Sequence, residues 1–543
     1  MLNKNIVLAA LLMLCGMASW AQKTLPTESV DVIKQFNARL IDAERFVVPP
    51  VLPAIDTANR KQFYNILAKP LNINYPAPKI RPLEWRSDPT ANIYKTYLQG
   101  GLGLPGAFYF DGSHDFVVKD NLNIGVDLNH YSADNSKNVE NQKFSSTQIN
   151  GNGVYKTDKG FSVLGDIGYK TNTLYFYGYN DLKDDFPGLK GFESTDVKQR
   201  FNTFYAKAKV YNSEPTVADF NYSASVDLYS LADNYATSET GFDLGLTGTK
   251  WFDKKHPLNL TLQTDFTGYQ DTTNQSLNNF FLKPNFGFHA DRFRLKIGAN
   301  IASHADQFYI YPDLEASVNV VDNLITAFAG AEGGLQKNNF RSLTDYNPFL
   351  SSRIDIRNSF YTNFYGGIKG EFKGIKYRGQ VGYKKVDNLA LFVSNRDSIP
   401  RFNVVYDTAT IVTISGEIST QLFENLGIIA AFSQNVFDLQ REKKPWQLPS
   451  LSLNVGAVMT MLDQKLKIRG DLYLQNGVPA KGANDEVKTL DALVDVSGAG
   501  EYQLTDNIGV FVRVNNLLNN RRQRWEHYPV LGINALVGLT ARF

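Results

Sequence analysis

The sequence predicts an all-β protein, a transmembrane antiparallel up-and-down β-barrel of about 22 strands led by a short extended arm. Three observations predict it. Apolar residues alternate with polar or small ones, segment after segment, from residue 93 to residue 543. The alternating runs last about ten residues, longer than a typical soluble strand and matched to a tilted bilayer crossing. Tight turns and long polar connections also succeed one another along the chain.

Composition agrees with this class. Lys+Arg of 56 against Asp+Glu of 54 excludes a nucleic-acid partner recruited by bulk charge. The 20% of charged residues falls below the roughly 25% usual in soluble domains. An aromatic content of 13%, with 28 Tyr, 36 Phe and 41 Gly, is that of a β-rich chain.

The elements follow in order. Lys4, the apolar stretch from Ile6 to Leu14, and Ser19-Trp20-Ala21 before Gln22 read as a secretory signal peptide over residues 1–21. Leu14 precedes Cys15 where a lipoprotein signal wants a small residue, so the single cysteine is expected to leave with the peptide. A mature chain without cysteine forgoes disulfides. Beyond residue 21 no apolar run approaches the ~20 residues of a spanning helix.

Residues 22–92 contain no glycine and are interrupted by Pro49-Pro50, Pro53, Pro70, Pro76, Pro78 and Pro82. They read as an extended periplasmic arm with one weak helical pattern at Val30, Val32, Ile33, Phe36, Leu40 and Ile41. Phe46, Phe63, Tyr64 and Ile66 are more apolar than a passive linker requires, so the arm is expected to dock a partner or enter a lumen.

Within 93–543, Leu122, Ile124, Val126 and Leu128 alternate with Asn123, Gly125, Asp127 and Asn129, and Phe293, Leu295 and Ile297 with Arg292, Arg294 and Lys296. Tyr377, Val381 and Tyr383 alternate with Arg378, Gln380 and Lys384. Tight turns share a signature: Asp120-Asn121-Leu122, Asp322-Asn323-Leu324, Glu424-Asn425-Leu426 and Asp506-Asn507-Ile508, joined by Asp253-Lys254-Lys255-His256-Pro257. Long polar connections are expected at 132–142, 178–196, 338–358, 440–449, 476–487 and 519–529, on the extracellular side of a Gram-negative outer membrane. An even strand number returns the chain to the side from which it started, and closure removes sheet edges that lipid would not tolerate.

In the last segment Leu531, Ile533, Ala535, Val537, Leu539, Ala541 and Phe543 share one face, and only Leu536 breaks the alternation. Together with Val514-Asn515-Asn516-Leu517-Leu518-Asn519, Tyr528-Pro529 and the terminal Phe543, this stretch resembles the barrels of TonB-dependent receptors. The resemblance implies a 22-strand barrel whose last strand, ending at Phe543, is read by the barrel-assembly machinery. Those receptors also carry a globular plug and a short TonB-recruiting box, for which only residues 22–92 are available here. The resemblance is therefore to a plugless relative of Bacteroidota type, without energy-coupled transport. An empty lumen of that size would leak solutes. The arm, inward-folding loops at 178–196 and 338–358, or a second protein is expected to fill it.

No catalytic constellation emerges. His114, His130, His256, His289, His304 and His527 are scattered, no metal-ligand or nucleotide motif occurs, and Gly101-Leu102-Gly103 is too bare to mark a phosphate loop. The chain is expected to be no enzyme and to take no cofactor or metal.

Two candidate sites remain. Arg292, Arg294, Lys296, Lys376, Arg378, Lys465, Lys467 and Arg469, reached by Lys207 and Lys209, could form a basic belt low in the lumen that favours anionic solutes or an acidic partner segment. The alternative is an ordinary charged ladder neutralised by Asp127, Asp265 and Asp471. Arg521, Arg522, Arg524, Trp525 and Tyr528 bring cations and aromatics to the outer rim, where they could anchor a partner. Tyr175, Phe176, Tyr177 and Tyr179 are expected in the aromatic girdle at the headgroups, with Trp525 open between the two roles. The function expected is a passive or partner-gated transport pore. The alternative is an accessory scaffold of an outer-membrane complex, docked through its arm. Expected partners are outer-membrane lipid, the barrel-assembly machinery, and a periplasmic or outer-membrane protein, with no nucleic acid.

Overall fold

A computed structural model describes residues 94–183, 188–214, 216–322, 324–395, 397–482 and 485–543. The expected signal peptide, the arm and Asn323 lie outside the described residues. The strands of the first half are β1 (Thr96–Leu104), β2 (Ala107–Lys119), β3 (Leu122–Asp134), β4 (Lys143–Lys156), β5 (Phe161–Tyr175), β6 (Lys198–Asn212), β7 (Phe220–Asp233), β8 (Ser238–Phe252), β9 (His256–Gln270), β10 (Asn274–His289), β11 (Phe293–His304) and β12 (Gln307–Val321). There follow β13 (Ile325–Asn338), β14 (Arg357–Phe372), β15 (Ile375–Ser394), β16 (Phe402–Phe423), β17 (Leu426–Leu439), β18 (Leu451–Met461) and β19 (Leu466–Asn476). The last are β20 (Val478–Lys481), β21 (Val487–Leu490), β22 (Leu493–Gln503), β23 (Ile508–Asn515), β24 (Gln523–Trp525), β25 (Tyr528–Pro529) and β26 (Asn534–Arg542). The pairs β20–β21 and β24–β25 are small hairpins, and the remaining strands form one 22-stranded antiparallel sheet.

The sheet closes where β1 meets β26, in register from Tyr97↔Arg542 to Leu104↔Ala535. The carbonyl of Phe543 accepts from the amides of Lys95 (2.7 Å) and Thr96 (2.9 Å), so the last residue stitches the seam. A Cβ on Gly103 would meet the Ala535 carbonyl oxygen at 1.9 Å. Bare glycine in β1 therefore lets the closing strand approach, and the Gly-Leu-Gly stretch serves closure.

The start of β1 and the end of β26 lie at one rim, here the terminal rim, and the longest connections at the other, the loop rim. The outward face follows from the alternation. Leu258, Leu260 and Leu262 of β9, Ile310 and Leu314 of β12, and Val537 and Leu539 of β26 are exposed, as expected of an apolar band that lipid covers. Exposed aromatics border the band: Phe116, Tyr155, Phe252, Phe372 and Phe423 toward the terminal rim, and Phe108, Tyr169, Phe204, Phe280 and Phe364 toward the loop rim.

Two features differ from the sequence expectation, and the single break in the last strand finds its cause. Most of the barrel strands run longer than ten residues, as in the 15 of β5 and the 22 of β16, because they continue past the apolar band. Connections 105–106, 234–237, 271–273 and 305–306 at the loop rim are as short as the terminal turns. Leu536 breaks the alternation because it turns inward, 4% exposed, beside the space left by Gly103.

Candidate functional site: a cap of inward-folded loops

The long loop-rim connections were expected to be polar, yet they bury an apolar core together with the strand ends. Loop 176–197 contributes Phe176 and Tyr179, loop 339–356 contributes Phe340, Leu343, Leu350 and Ile354, loop 440–450 contributes Trp446, and loop 516–533 contributes Trp525 and Tyr528. The strands answer with Phe201, Leu231, Tyr269, Leu391, Phe402 and Phe437. A surface loop cannot afford this many apolar side chains in water, so burial against the wall supplies the force that draws the loops together.

Loop 176–197 opens with the short helix α1 (Tyr179–Leu182), and loop 339–356 with α2 (Phe340–Tyr346). The Asn339 side chain accepts from the Ser342 amide (3.0 Å) while the Asn339 amide donates to Ser342 Oγ (3.1 Å), a reciprocal cap. The amides of Phe340 and Arg341 donate to the Glu239 carboxylate at 2.6 and 3.1 Å, and the Tyr229 hydroxyl donates to it at 2.9 Å. Glu239 is 1% exposed. One wall carboxylate thus holds the start of the loop through charge-assisted hydrogen bonds. Farther on, the Ile356 amide and the Ile354 carbonyl bind the Gln275 side chain at 3.0 and 2.8 Å. The loop is pinned to the inner wall of β8 to β10.

The β24–β25 hairpin is the hub. The Trp525 ring stands edge-on to Tyr346 (5.4 Å), Phe392 (5.5 Å) and Phe402 (5.6 Å). Tyr528 stacks on Phe349 at 3.7 Å, and its hydroxyl donates to the Pro400 carbonyl. Burial pushes the Tyr528 phenol well above its ordinary pKa. Gln523 and His527 both bind Asp181, at 2.9 and 2.8 Å. The His527 hydrogen bond, with the Gln523 bond, holds the Asp181 carboxyl below the usual carboxylate range against burial. Gln142 and Tyr177 both donate to the Pro529 carbonyl at 2.9 Å. Connections 135–142, 176–197, 339–356, 395–401 and 516–533 therefore meet at a single knot.

The candidate rim residues divide. Trp525 and Tyr528 are 4% and 1% exposed, so neither faces a partner nor lies at the headgroups. Phe176 and Tyr179 are buried and Tyr177 packs against the same core, so these three leave the expected girdle for the cap. Arg524 lies over the Trp525 ring at 4.4 Å, Arg522 pairs with Asp491 at the surface, and Arg521 is exposed.

The candidate belt is assembled with acids among it. In register, Lys296 lies opposite Glu315, Lys376 opposite Glu371, Arg378 opposite Glu417, and Lys467 opposite Glu501. Lys296 pairs with Asp313 at 2.5 Å, Arg469 with Asp471 at 2.9 Å, and Lys207 with Asp227 at 3.1 Å. Arg292 and Lys465 sit in terminal turns, Arg294 lies opposite Ser317, and Lys209 opposite Ser225. Among the described residues no group of His, Cys, Asp and Glu is arranged to hold a metal ion.

Glu239, Tyr229, Asp181 and Gln275 were not singled out from the sequence. The signal that could have found the cap is the aromatic and aliphatic content of loops otherwise read as polar: Phe340, Leu343, Phe349, Leu350 and Ile354 fall within one connection. The Asn motif near the end also acquires a role. Asn516, at φ 51°, donates to the Asn520 and Leu531 carbonyls (2.6 and 2.8 Å), tying off loop 516–533 at its base.

No family model and no curated protein matches the sequence. Solved structures do. The FrpB iron transporter from Neisseria meningitidis superposes with a TM-score of 0.64 at 9% identity, over 83% of this chain and 81% of that one. The ferric-catecholate import receptor Fiu from Escherichia coli K12 gives 0.63 at 8% identity over 83% and 82%, and the siderophore receptor PirA from Pseudomonas aeruginosa 0.57 at 12% over 82% and 79%. These neighbours are TonB-dependent outer-membrane receptors, and the likeness at such identities is one of fold. The chain has the closed 22-strand barrel of outer-membrane transport receptors.

Proposed function

We propose that the protein is a gated outer-membrane transport barrel, with the terminal rim in the periplasm and the loop rim outside. The apolar band is covered by outer-membrane lipid, and the cap is the movable barrier at the outer mouth. One observation carries this reading: loops from around the mouth share a core and are hydrogen-bonded to the inner wall, so passage through that end would require them to part. In this reading a partner at the arm or at the outer face releases the cap. The barrel neighbours are named as importers and receptors, which favours transport over catalysis.

The test uses a reversible lock. The only native cysteine is Cys15, so Asp181→Cys with Gln523→Cys supplies a single new pair that a reductant-cleavable bis-thiol cross-linker can bridge, where the native side chains touch at 2.9 Å. In planar bilayers the cross-linked protein, its bridge verified by mass, should lose the sporadic conductance of the unlinked one and recover it with reductant. Equal conductance in both states would show that the cap is not the gate.

A further inference from the structure

The outward face above the apolar band is not uniform. On β4, β5 and β6 the band ends at Ile149, Tyr169 and Phe204, all exposed. Residues of the same parity toward the loop rim are Thr147 and Ser145, then Thr171 and Thr173, then Asn202. These are hydroxyls and an amide, cross-linked where Tyr169 and Thr171 both donate to Asn202 Oδ1 at 3.0 and 2.9 Å. Above them the outward positions turn basic: Arg200 opposite Thr173, Lys198 opposite Tyr175, and Lys143, whose ammonium lies 4.7 Å over the Tyr175 ring and 3.1 Å from Ser194 Oγ. Asp134, opposite Lys143, is the acid of the group. On β7 to β10 the corresponding collar is Ser230, Thr240, Gly268, Ser276 and Asn278, without charge. On β15 to β17 it carries Lys385, Asp387 and Asp438, net acidic.

Beside the basic quadrant lies a groove. Phe204, Leu228, Phe242 and Phe266 form its floor, Ser230, Thr240, Gly268 and Ser276 its upper edge, and its volume is about 450 Å³. Phe204 belongs both to this floor and to the strand that carries Arg200.

We infer that this quadrant binds one phosphorylated glycolipid of the outer leaflet, acyl chains in the groove, sugars on the hydroxyl collar, and phosphate on Lys198, Arg200 and Lys143. The inference rests on the outer-membrane reading above. Arg200 lies four residues beyond Phe204, about 13 Å along the strand and roughly 10 Å along the membrane normal at the usual tilt. A glycerophospholipid carries its phosphate directly above the acyl chains. An amphiphile with sugars between chains and phosphate reaches the height of these cations, and hydroxyls are what sugars bind between the two. Arg and Lys are the side chains that hold phosphate.

The test is native mass spectrometry of the full-length protein released from detergent. The probes are phosphorylated lipid A, the same glycolipid without phosphate, phosphatidylglycerol, and inorganic phosphate. Phosphorylated lipid A should be retained most strongly, with roughly tenfold or greater loss in K198Q/R200Q and near-normal retention in K198R/R200K and in the distant K385Q. Equal retention by K198Q/R200Q, or phosphatidylglycerol bound as well as lipid A, would overturn the assignment. Binding of inorganic phosphate alone with equal loss in the variant would also overturn it, as an anion site without lipid. Heat-modifiable migration, scored in parallel, reports the barrel itself, so a failure of the outer-membrane reading is seen separately from a failure of this site.

Discussion

Replacing Trp525 by Ala tests whether the cap is a cooperative barrier. Its indole is 4% exposed and meets three rings, from α2 and from the upper ends of β15 and β16, at 5.4 to 5.6 Å. Truncating a buried Trp costs about 3–5 kcal/mol from lost transfer and the cavity left behind. Because the indole lies among loops and not in the lipid-embedded wall, the loss falls on local closure and leaves the barrel sheet intact. At about 1.4 kcal/mol per tenfold, the closed-to-open ratio falls by two to nearly four orders of magnitude. Planar-bilayer recording should show rare openings in the parent and long-lived ones in Trp525→Ala. Limited proteolysis should cut within 516–533 at a matching ratio. Arg522→Gln is the control, since the Arg522–Asp491 pair is 54% and 65% exposed and worth at most about 1 kcal/mol. The reasoning is refuted if proteolysis shows the cap open in Trp525→Ala while conductance stays at the parent level, because the barrier would then lie elsewhere.

Glu239→Gln keeps the shape of the anchor but removes its charge, which should weaken the hold on the Phe340 and Arg341 amides by about 1–2 kcal/mol. Faster hydrogen exchange confined to 339–356 would report it. Gly103→Val sets a side chain against the Ala535 carbonyl at the seam, so the variant should lose heat-modifiable migration, whereas Gly165→Ala, with open space at its Cβ, should keep it. Leu262→Arg on the lipid face should destabilise the barrel by about 2–4 kcal/mol, and the neighbouring inward Thr261→Arg by much less, as measured by urea unfolding in vesicles.

The wall was legible from the sequence because lipid imposes a strict rule: every second residue meets hydrocarbon, so Phe293, Leu295 and Ile297, or Val537 and Leu539, declare their side without tertiary information. The turn signature Asp-Asn-Leu likewise marked strand ends. The cap was not legible by the same rule, since loop residues have no period. Tyr177 and Trp525 look alike whether they lie at a headgroup or in a core, and only the contacts with Phe349, Tyr528 and Phe402 separate the two cases. The choice between a basic belt and a neutralised ladder was hidden for a related reason. Inward orientation of Lys296 and Arg378 could be read along one strand, but the acids that face them come from neighbouring strands whose register no single strand reveals.

One segment does carry a trace of the cap. Leu389-Ala390-Leu391-Phe392-Val393 interrupts alternation with a continuous apolar run, the pattern of a strand covered on both faces. Its structure agrees: Leu391 and Phe392 point to opposite faces and are 0% and 2% exposed. Backbone contacts extend the upper β15–β16 hairpin on both edges, the Ser351 amide donating to the Phe402 carbonyl at 2.8 Å and the Phe392 amide to the Trp446 carbonyl at 3.3 Å. This hairpin therefore stands inside the cap as its central sheet, and the other loops are built around it. Phe392→Asp discriminates that placement from an exposed rim position. On a solvated rim the substitution would cost almost nothing, whereas among Tyr346 and Trp525 it buries an unpaired carboxylate worth several kcal/mol. The expected outcome is an intact, heat-modifiable barrel with loops 440–450 and 516–533 open to protease. A cap that stays protected in Phe392→Asp would remove the hairpin from the cap core and, with it, the reason these loops close.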